Sequence, residues 1–170
     1  MQLKLGTVAV EPITLAEAKA WLKVDYADED SMITKLITAV RHQSELFTGL
    51  SLAARTIEYF DNEIADEIVL PYPDHLAIVE VKINDVISTA YKKTGLTQFI
   101  IIPETTFLSG ENNQGIYIKY TTSGVMPEGI DTEMLKIIDE KYRNRGNTFE
   151  GSITELNENA YANLAKYCLM

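Results

Sequence analysis

The sequence is poor in the residues that most chemistry requires. It has one cysteine, Cys168, and two histidines, His42 and His75, among 170 residues. A single cysteine excludes an internal disulfide and fits a reducing compartment. No apolar run reaches the roughly 20 residues of a membrane span. The opening MQLKLGTVAV lacks the apolar stretch and small-residue cleavage site of a secretory signal, which predicts a chain made in a cytoplasm. Basic residues are also scarce, with 15 Lys and Arg against 25 Asp and Glu and a net charge of −10. Affinity for DNA or RNA comes from cations set on phosphates, so tight nucleic-acid binding is not expected. An acidic surface can still border DNA without gripping it.

The remaining composition is that of a globular protein, 46% hydrophobic and 24% charged, and the length suits a single ordinary core. The fold class expected is α+β, with an N-terminal helix pair and C-terminal helices packed with a central antiparallel β region. A first helix is predicted over about 14–23. Thr14 can cap it, and Glu17 three residues on completes a capping box. Leu15, Ala18 and Leu22 share one face, with Trp21 beside them. A second helix is predicted over 31–48. Acids at Asp25, Asp28, Glu29 and Asp30 precede it, where the positive helix end favours them. Met32, Ile33, Leu36, Ile37 and Val40 form its apolar stripe, Gln43 and Ser44 interrupt it, Phe47 rejoins it, and Gly49 stops it.

Residues 55–122 change character to four to six antiparallel strands forming a small sheet or sandwich. Ile57, Tyr59 and Phe60 begin one stretch, and 67–70 form another that Pro71 and Pro73 stop. Ala77, Val79, Val81 and Ile83 alternate with Glu80 and Lys82, which predicts one shared apolar face. Asn84 and Asp85 mark a turn. Residues 99–102 form an apolar run, 111–115 (ENNQG) a loop, and Ile116, Ile118 and Tyr120 another alternating set. A third helix is predicted over 131–145, capped by Asp131 or Thr132, buried through Met134, Leu135, Ile137, Ile138 and Tyr142, and ended by Gly146. A polar linker then separates residues 1–150 from a helical tail or arm at 151–170. In that tail Leu156, Ala160, Leu164 and Tyr167 make a stripe on a helix standing apart from the main body.

Each candidate for chemistry has a plainer explanation. The acid cluster lacks the central Gly and closing Glu of a calcium loop, so it reads as a solvated helix start. His42 and His75 have no partner at metal-ligand spacing. Ser51, in GLSLA, misses the second glycine of a nucleophile elbow and has a helix before it instead of a strand. Cys168 reads as a small packing residue. No catalytic residue, metal ligand or cofactor is assigned. Tyr142, Arg143 and Arg145 end the third helix either as solvated residues or as a subunit–subunit contact, with Arg forks reaching acids on a neighbour. The tail stripe, with Tyr161, either packs on its own domain or docks on a partner.

The pieces in order carry a resemblance. ITLAEAKAWLKVDYADEDSMITKLITAVRHQSELFTG, residues 13–49, gives a Thr-capped short helix, an acidic break and a long helix ending Phe47-Thr48-Gly49. YTTSGVMPEGI, residues 120–130, is a strand-Gly-Pro passage into a helix. Tyr142 to Arg145 is an aromatic-x-Asn-Arg helix end, and AYANLAKY, residues 160–167, is a terminal Leu-rich segment. Together they resemble tailed-phage head-tail connector (adaptor) proteins. The middle region matches only in strand character, and Cys168 and Leu169 stand where an Arg often follows the terminal Tyr. The resemblance implies a structural virion protein, not an enzyme, at the head-tail interface. It implies a homo-oligomeric ring, twelvefold, bound to the portal on one side and to a stopper, second ring or tail protein on the other. DNA would pass through its centre without sequence-specific binding, and no membrane is involved. By the same resemblance Leu156, Ala160, Tyr161, Leu164 and Tyr167 form a portal-binding arm. A different reading is a small non-enzymatic binding module with an aromatic β face formed by Tyr59, Tyr72, Tyr91 and Tyr117.

Overall fold

A computed structural model describes residues 1–96, 98–103, 115–124, 126–144 and 161–168. The fold is α+β, and the chain divides into two compact units. One is built from Met1–Ala9 and Ala53–Val125, the other from Val10–Leu52 and Met126–Met170.

The second unit is helical. Helix α1 spans Leu15–Leu22, and Thr14 makes the predicted capping box: its hydroxyl accepts from Glu17 N–H while the Glu17 carboxylate takes the Thr14 N–H at 2.8 Å. The Thr14 N–H, and then the Thr14 hydroxyl, donate to the Glu17 carboxylate and hold its pKa below the ordinary value. Helix α2 spans Asp30–Thr48, and Gly49 ends it at φ 75°, a left-handed turn that glycine adopts without strain. Helix α3 spans Ile130–Arg143. Its cap is not Asp131 or Thr132 but Gly129, at φ 91° and with no side-chain bond to the helix. The apolar faces meet in one core of Ile13, Ala18, Leu22, Val24, Ile33, Ile37, Val40, Leu50, Leu52, Ile130, Met134, Ile137, Ile138 and Leu164. Each large side chain so buried is worth about 1.5–3 kcal/mol.

The stripe of α2 is not interrupted after Val40, as its sequence suggests. It continues in polar residues: Arg41, Ser44, Glu45 and Thr48 are all buried. Phe47 does not rejoin it and is 42% exposed, as is Trp21 on α1.

The first unit is β. Strand β1 is Gln2–Leu5, β2 Arg55–Asp61, β3 Ile68–Val69, β4 His75–Ile83, β5 Val86–Ile87, β6 Tyr91–Thr94, β7 Ile100–Pro103 and β8 Ile116–Thr122. One antiparallel sheet has the order β1-β2-β8-β4-β5, and the other β3-β7-β6. Strand β1 lies outside the region expected to be β. Four residues are too few for alternation to show, and its place comes from pairing with β2, Leu3 opposite Tyr59 and Leu5 opposite Ile57. The larger sheet buries Ile57, Tyr59, Val81, Ile83, Ile116, Ile118 and Tyr120 on one face, in a core shared with Ile68, Leu70, Phe99 and Ile101. Asn84 and Asp85, both at positive φ, make the two-residue turn between β4 and β5.

The alternation expected in β4 fails in its first half. The register against β8 shifts between His75 and Ala77 and again between Ile78 and Glu80. Each bulge reverses the face for the residues after it, so Ala77 and Val79 are exposed while Val81 and Ile83 are buried. The loop expected at 111–115 lies outside the described residues apart from Gly115. So do Arg145, Gly146, the linker and the tail as far as Ala160.

Beyond β8 the chain turns at Gly124, at φ 71°. A Cβ there would meet the Ala54 nitrogen at 2.1 Å. Glycine is required twice over, by conformation and by the approach of backbone to backbone. Gly124→Ala is expected to destabilise the protein by roughly 3 kcal/mol or more, read as a lowered urea midpoint.

Candidate subunit and partner interfaces

The α1–α2 turn and the end of α3 meet on one carboxylate. Tyr142 Oη donates to Glu29 Oε2, and Tyr26 Oη donates to the same oxygen at 3.2 Å. The bond to Glu29, helped by Tyr26, pushes the Tyr142 phenol well above its ordinary range. On the same turn Lys19 Nζ reaches Asp30 at 2.6 Å and the Tyr26 carbonyl at 2.8 Å. Two of the four acids of the break are therefore partnered, while Asp25 and Asp28 stand exposed. Of the helix-end residues expected at a subunit contact, Tyr142 faces its own chain. Arg143 points out: its side chain is 70% exposed and pairs with Asp139, one turn back, at 2.7 Å. Arg145 lies outside the described residues.

The terminal stripe is described from residue 161. It does not stand apart. Residues 161–164 are helical, and a 3₁₀ turn follows at Ala165–Tyr167. Leu164 is fully buried in the helical core, and Tyr161 and Tyr167 pack against it. Tyr167 Oη donates to the Glu128 carbonyl at 2.7 Å, at the corner where a Cβ on Gly129 would lie 3.0 Å from that hydroxyl. Tyr161 sits on the Phe47 ring at 5.5 Å, and Cys168 Sγ lies 3.2 Å from the Phe47 carbonyl. The MPEG passage is thus a seat for the terminal tyrosine. Phe47 of the Phe-Thr-Gly signature receives the rest. Leu156 and Ala160 lie outside the described residues.

Sequence reasoning missed a buried ionic cluster. Arg41 Nη1 donates to Glu45 Oε2 at 2.7 Å, and Arg41 Nε donates to Glu11 Oε2 at 2.7 Å. Thr38 donates to the other Glu11 oxygen at 2.9 Å, and Glu45 Oε1 accepts the Leu52 N–H at 3.0 Å. The Glu45 side chain is 1% exposed and that of Arg41 8%. One turn of α2 therefore fixes both the chain arriving at Glu11 and the chain leaving at Leu52. The available signal is an i, i+4 Arg–Glu pair continuing the 3.6-residue period.

In the β unit the four tyrosines of the binding-module reading do not form one face. Tyr59 is buried in the core, and its hydroxyl, at 3.2 Å from Asp61, is pushed by burial and by that carboxylate up to about 12. Tyr117 lies on the opposite side of the sheet, beside Phe60 and Lys82. Tyr72 is stacked under Arg55. His75 is a joint, not a base. Its Nδ1 accepts the Phe99 N–H at 2.8 Å, so Nε2 carries the proton donated to the Pro71 carbonyl at 2.9 Å. Its ring lies between Phe99 and Tyr120. Burial lowers its pKa, against the opposing pull of the Pro71 and Tyr72 backbone and of Asp74. His42 is exposed on α2, and Ser51 is buried in the segment just after that helix. Among the described residues no group of His, Cys, Asp and Glu is arranged to hold a metal.

This arrangement offers surfaces and internal ties. The model of the phage gp6-like head-tail connector proteins matches residues 12–98, half of the chain. The protein belongs to that family, whose members are structural proteins of the head-tail region and not enzymes. Solved structures agree on the fold. A chain in the neck of an empty GTA particle computed with C6 symmetry superposes with a TM-score of 0.76 at 12% identity, covering 100% of this chain and 97% of that one. A chain in the virion of a native gene transfer agent (GTA) particle gives 0.76 at 14% identity, covering 100% and 96%. One in the neck of a native GTA particle computed with C12 symmetry gives 0.66 at 13% identity, again covering 100% and 96%. No curated protein matches the sequence.

The internal ties can be tested one at a time. Arg41→Met strands Glu45 in the core and is expected to cost about 3–5 kcal/mol in urea unfolding. Adding Glu45→Gln, which still accepts from Leu52, should recover part of that. For His75 the sign is set by its lowered pKa. Above the ordinary imidazole value of 6.5 both states hold a neutral ring. Below it the unfolded chain takes up a proton that the folded one refuses, so stability falls with pH down to the folded pKa. The urea midpoint should drop between pH 7 and pH 5, and His75→Gln should reduce that drop.

Proposed function

We propose that the protein forms a ring adaptor between the portal and the tail, a stopper or a second ring, with genomic DNA passing through its centre. Membership of the head-tail connector family carries this reading. The C12 symmetry of a neck whose chain shares this fold supports twelve copies. The net charge of −10 suits a passage, since a surface without excess cations does not hold phosphate.

In this reading residues 1–150 are the ring-forming body and 151–170 the portal-binding arm. Leu156, Ala160, Tyr161, Leu164 and Tyr167 supply the portal contact. Leu164 is buried in its own chain, so engaging the portal through it requires the segment to leave its seat on Phe47 and the Glu128 corner. Arg143, exposed beside Asp139, serves the subunit contact, as does Arg145. Tyr142 supports that contact from within by holding the α1–α2 turn.

Light scattering on the purified chain, alone and mixed with the cognate portal, tests the assignment. The expected result is a ring, formed alone or templated by the portal, with a mass near twelve subunits beyond that of the portal. A chain that stays monomeric and does not bind the portal would sink it.

A further inference from the structure

Helix α1 carries different chemistry on its two flanks. Ala18 and Leu22 turn into the core. To one side of them stands Trp21, the single tryptophan of the chain, 42% exposed. To the other lies an open groove of ≈ 550 Å³ between α1 and the turn that leads into α2. Leu15, Ala16, Ala20 and Val24 form its apolar floor, and Asp25 stands on its rim. The Lys19–Asp30 pair walls it. Lys19 is also tied to the Tyr26 carbonyl, so its chain does not fold over the floor. At about 100° per residue, Trp21 sits about 170° round the helix from the centre of Leu15, Ala16, Lys19 and Ala20.

The groove fits a large apolar group that also brings a hydrogen-bond donor for the Asp25 carboxylate. The large hydrophobic side chains exposed on the helical unit, among the described residues, are Val10, Trp21, Tyr26, Leu46 and Phe47. Val10 and Leu46 have no donor. Phe47 has none either, and Tyr161 lies on its ring. The Tyr26 hydroxyl is engaged by Glu29. Trp21 combines a flat apolar ring with an indole N–H that has no hydrogen-bond partner among the described residues. A tryptophan that becomes buried needs an acceptor for that N–H, and exposed Asp25 supplies one. Ala16 and Ala20 present only methyl groups, so an indole can lie against the helix. Tryptophan is also the side chain most enriched where interfaces carry their binding energy. Trp21 faces away from the groove of its own helix, so the two meet only between copies. The contact joins two different patches, and such heterologous contacts propagate and close into rings.

We propose that Trp21 of each subunit seats in the α1 groove of the next, its indole N–H donating to Asp25, so that neighbouring subunits are joined flank to flank along α1. The proposal rests on the ring reading and adds to it the contact that propagates the ring.

The test reads Trp21 itself. In the full chain labelled with hydroxytryptophan, emission from position 21 is excited apart from any tryptophan of the portal. Acrylamide should quench it freely in the dilute monomer and severalfold less in the assembled ring, formed with portal if the portal is needed. A ring seen by light scattering in which Trp21 is quenched as in the monomer overturns the joint alone. The absence of any ring, with or without portal, fails the ring reading and the joint with it. As a second arm, Trp21→Ala should leave the circular dichroism spectrum and melting unchanged and raise the concentration needed for assembly roughly thirtyfold. Ala16→Gln with Ala20→Gln fills the groove with neutral side chains that a helix accepts, and should weaken assembly likewise while Trp21 stays open to acrylamide. Assembly of either folded variant at the parent's concentration overturns the proposal.

Discussion

The helical unit depends on one buried ion pair. Arg41 and Glu45 lie where two more apolar residues would have packed, and their charges cost solvation that only their partners return. Each partner is a piece of chain: Glu11 on the incoming side, the Leu52 amide on the outgoing side. An apolar pair at these positions would fill the space equally well and hold neither segment in place. The pair therefore selects one path for the chain through the unit. The other polar ties act similarly at the opposite end of the helices, where Glu29 gathers Tyr26 and Tyr142, and Lys19 closes the turn on Asp30.

The β unit uses a different device. Its larger sheet has one face committed to the core, and the other carries one cross-strand row of alternating sign, Lys4, Glu58, Lys119 and Glu80. Such pairs are individually weak in water, but they fix which strand neighbours which. Among the described residues the register shifts lie in β4, where two bulges turn Leu76 and Val79 away from the core. A sheet built only for stability would have kept both.

How legible each element is in the sequence depends on how local its signal is. Thr14 with Glu17, and Gly49, act within one helical turn, and α1 and α2 lie within a residue of their predicted bounds. Gly129 is harder to read, because its role as cap of α3 comes from its own left-handed backbone and not from a side chain. The polar half of α2 is hidden because periodicity in hydrophobicity cannot register a stripe of Arg, Ser, Glu and Thr. Strand β1 and the bulges of β4 are set by partners more than 30 residues away, and no local window contains them. The tail stripe is legible as a stripe, but its seat on Phe47 and Glu128 is not. Of the residues expected at interfaces, Tyr142 and Leu164 turn inward for the same reason: an amphipathic pattern states that a face is covered without stating by what.

Leu164 has a consequence for how the molecule is made. The core that receives α1 and α2 is completed by Ile130, Met134, Ile137 and Ile138, and lastly by Leu164. During synthesis the first two helices leave the ribosome long before these residues exist. Their apolar faces must wait, exposed or held by a chaperone, while the whole β unit emerges between them. A chain broken off before residue 164 cannot close that core. The helical core thus joins segments made at widely separated times, and Leu164 is the last of its buried side chains to be made.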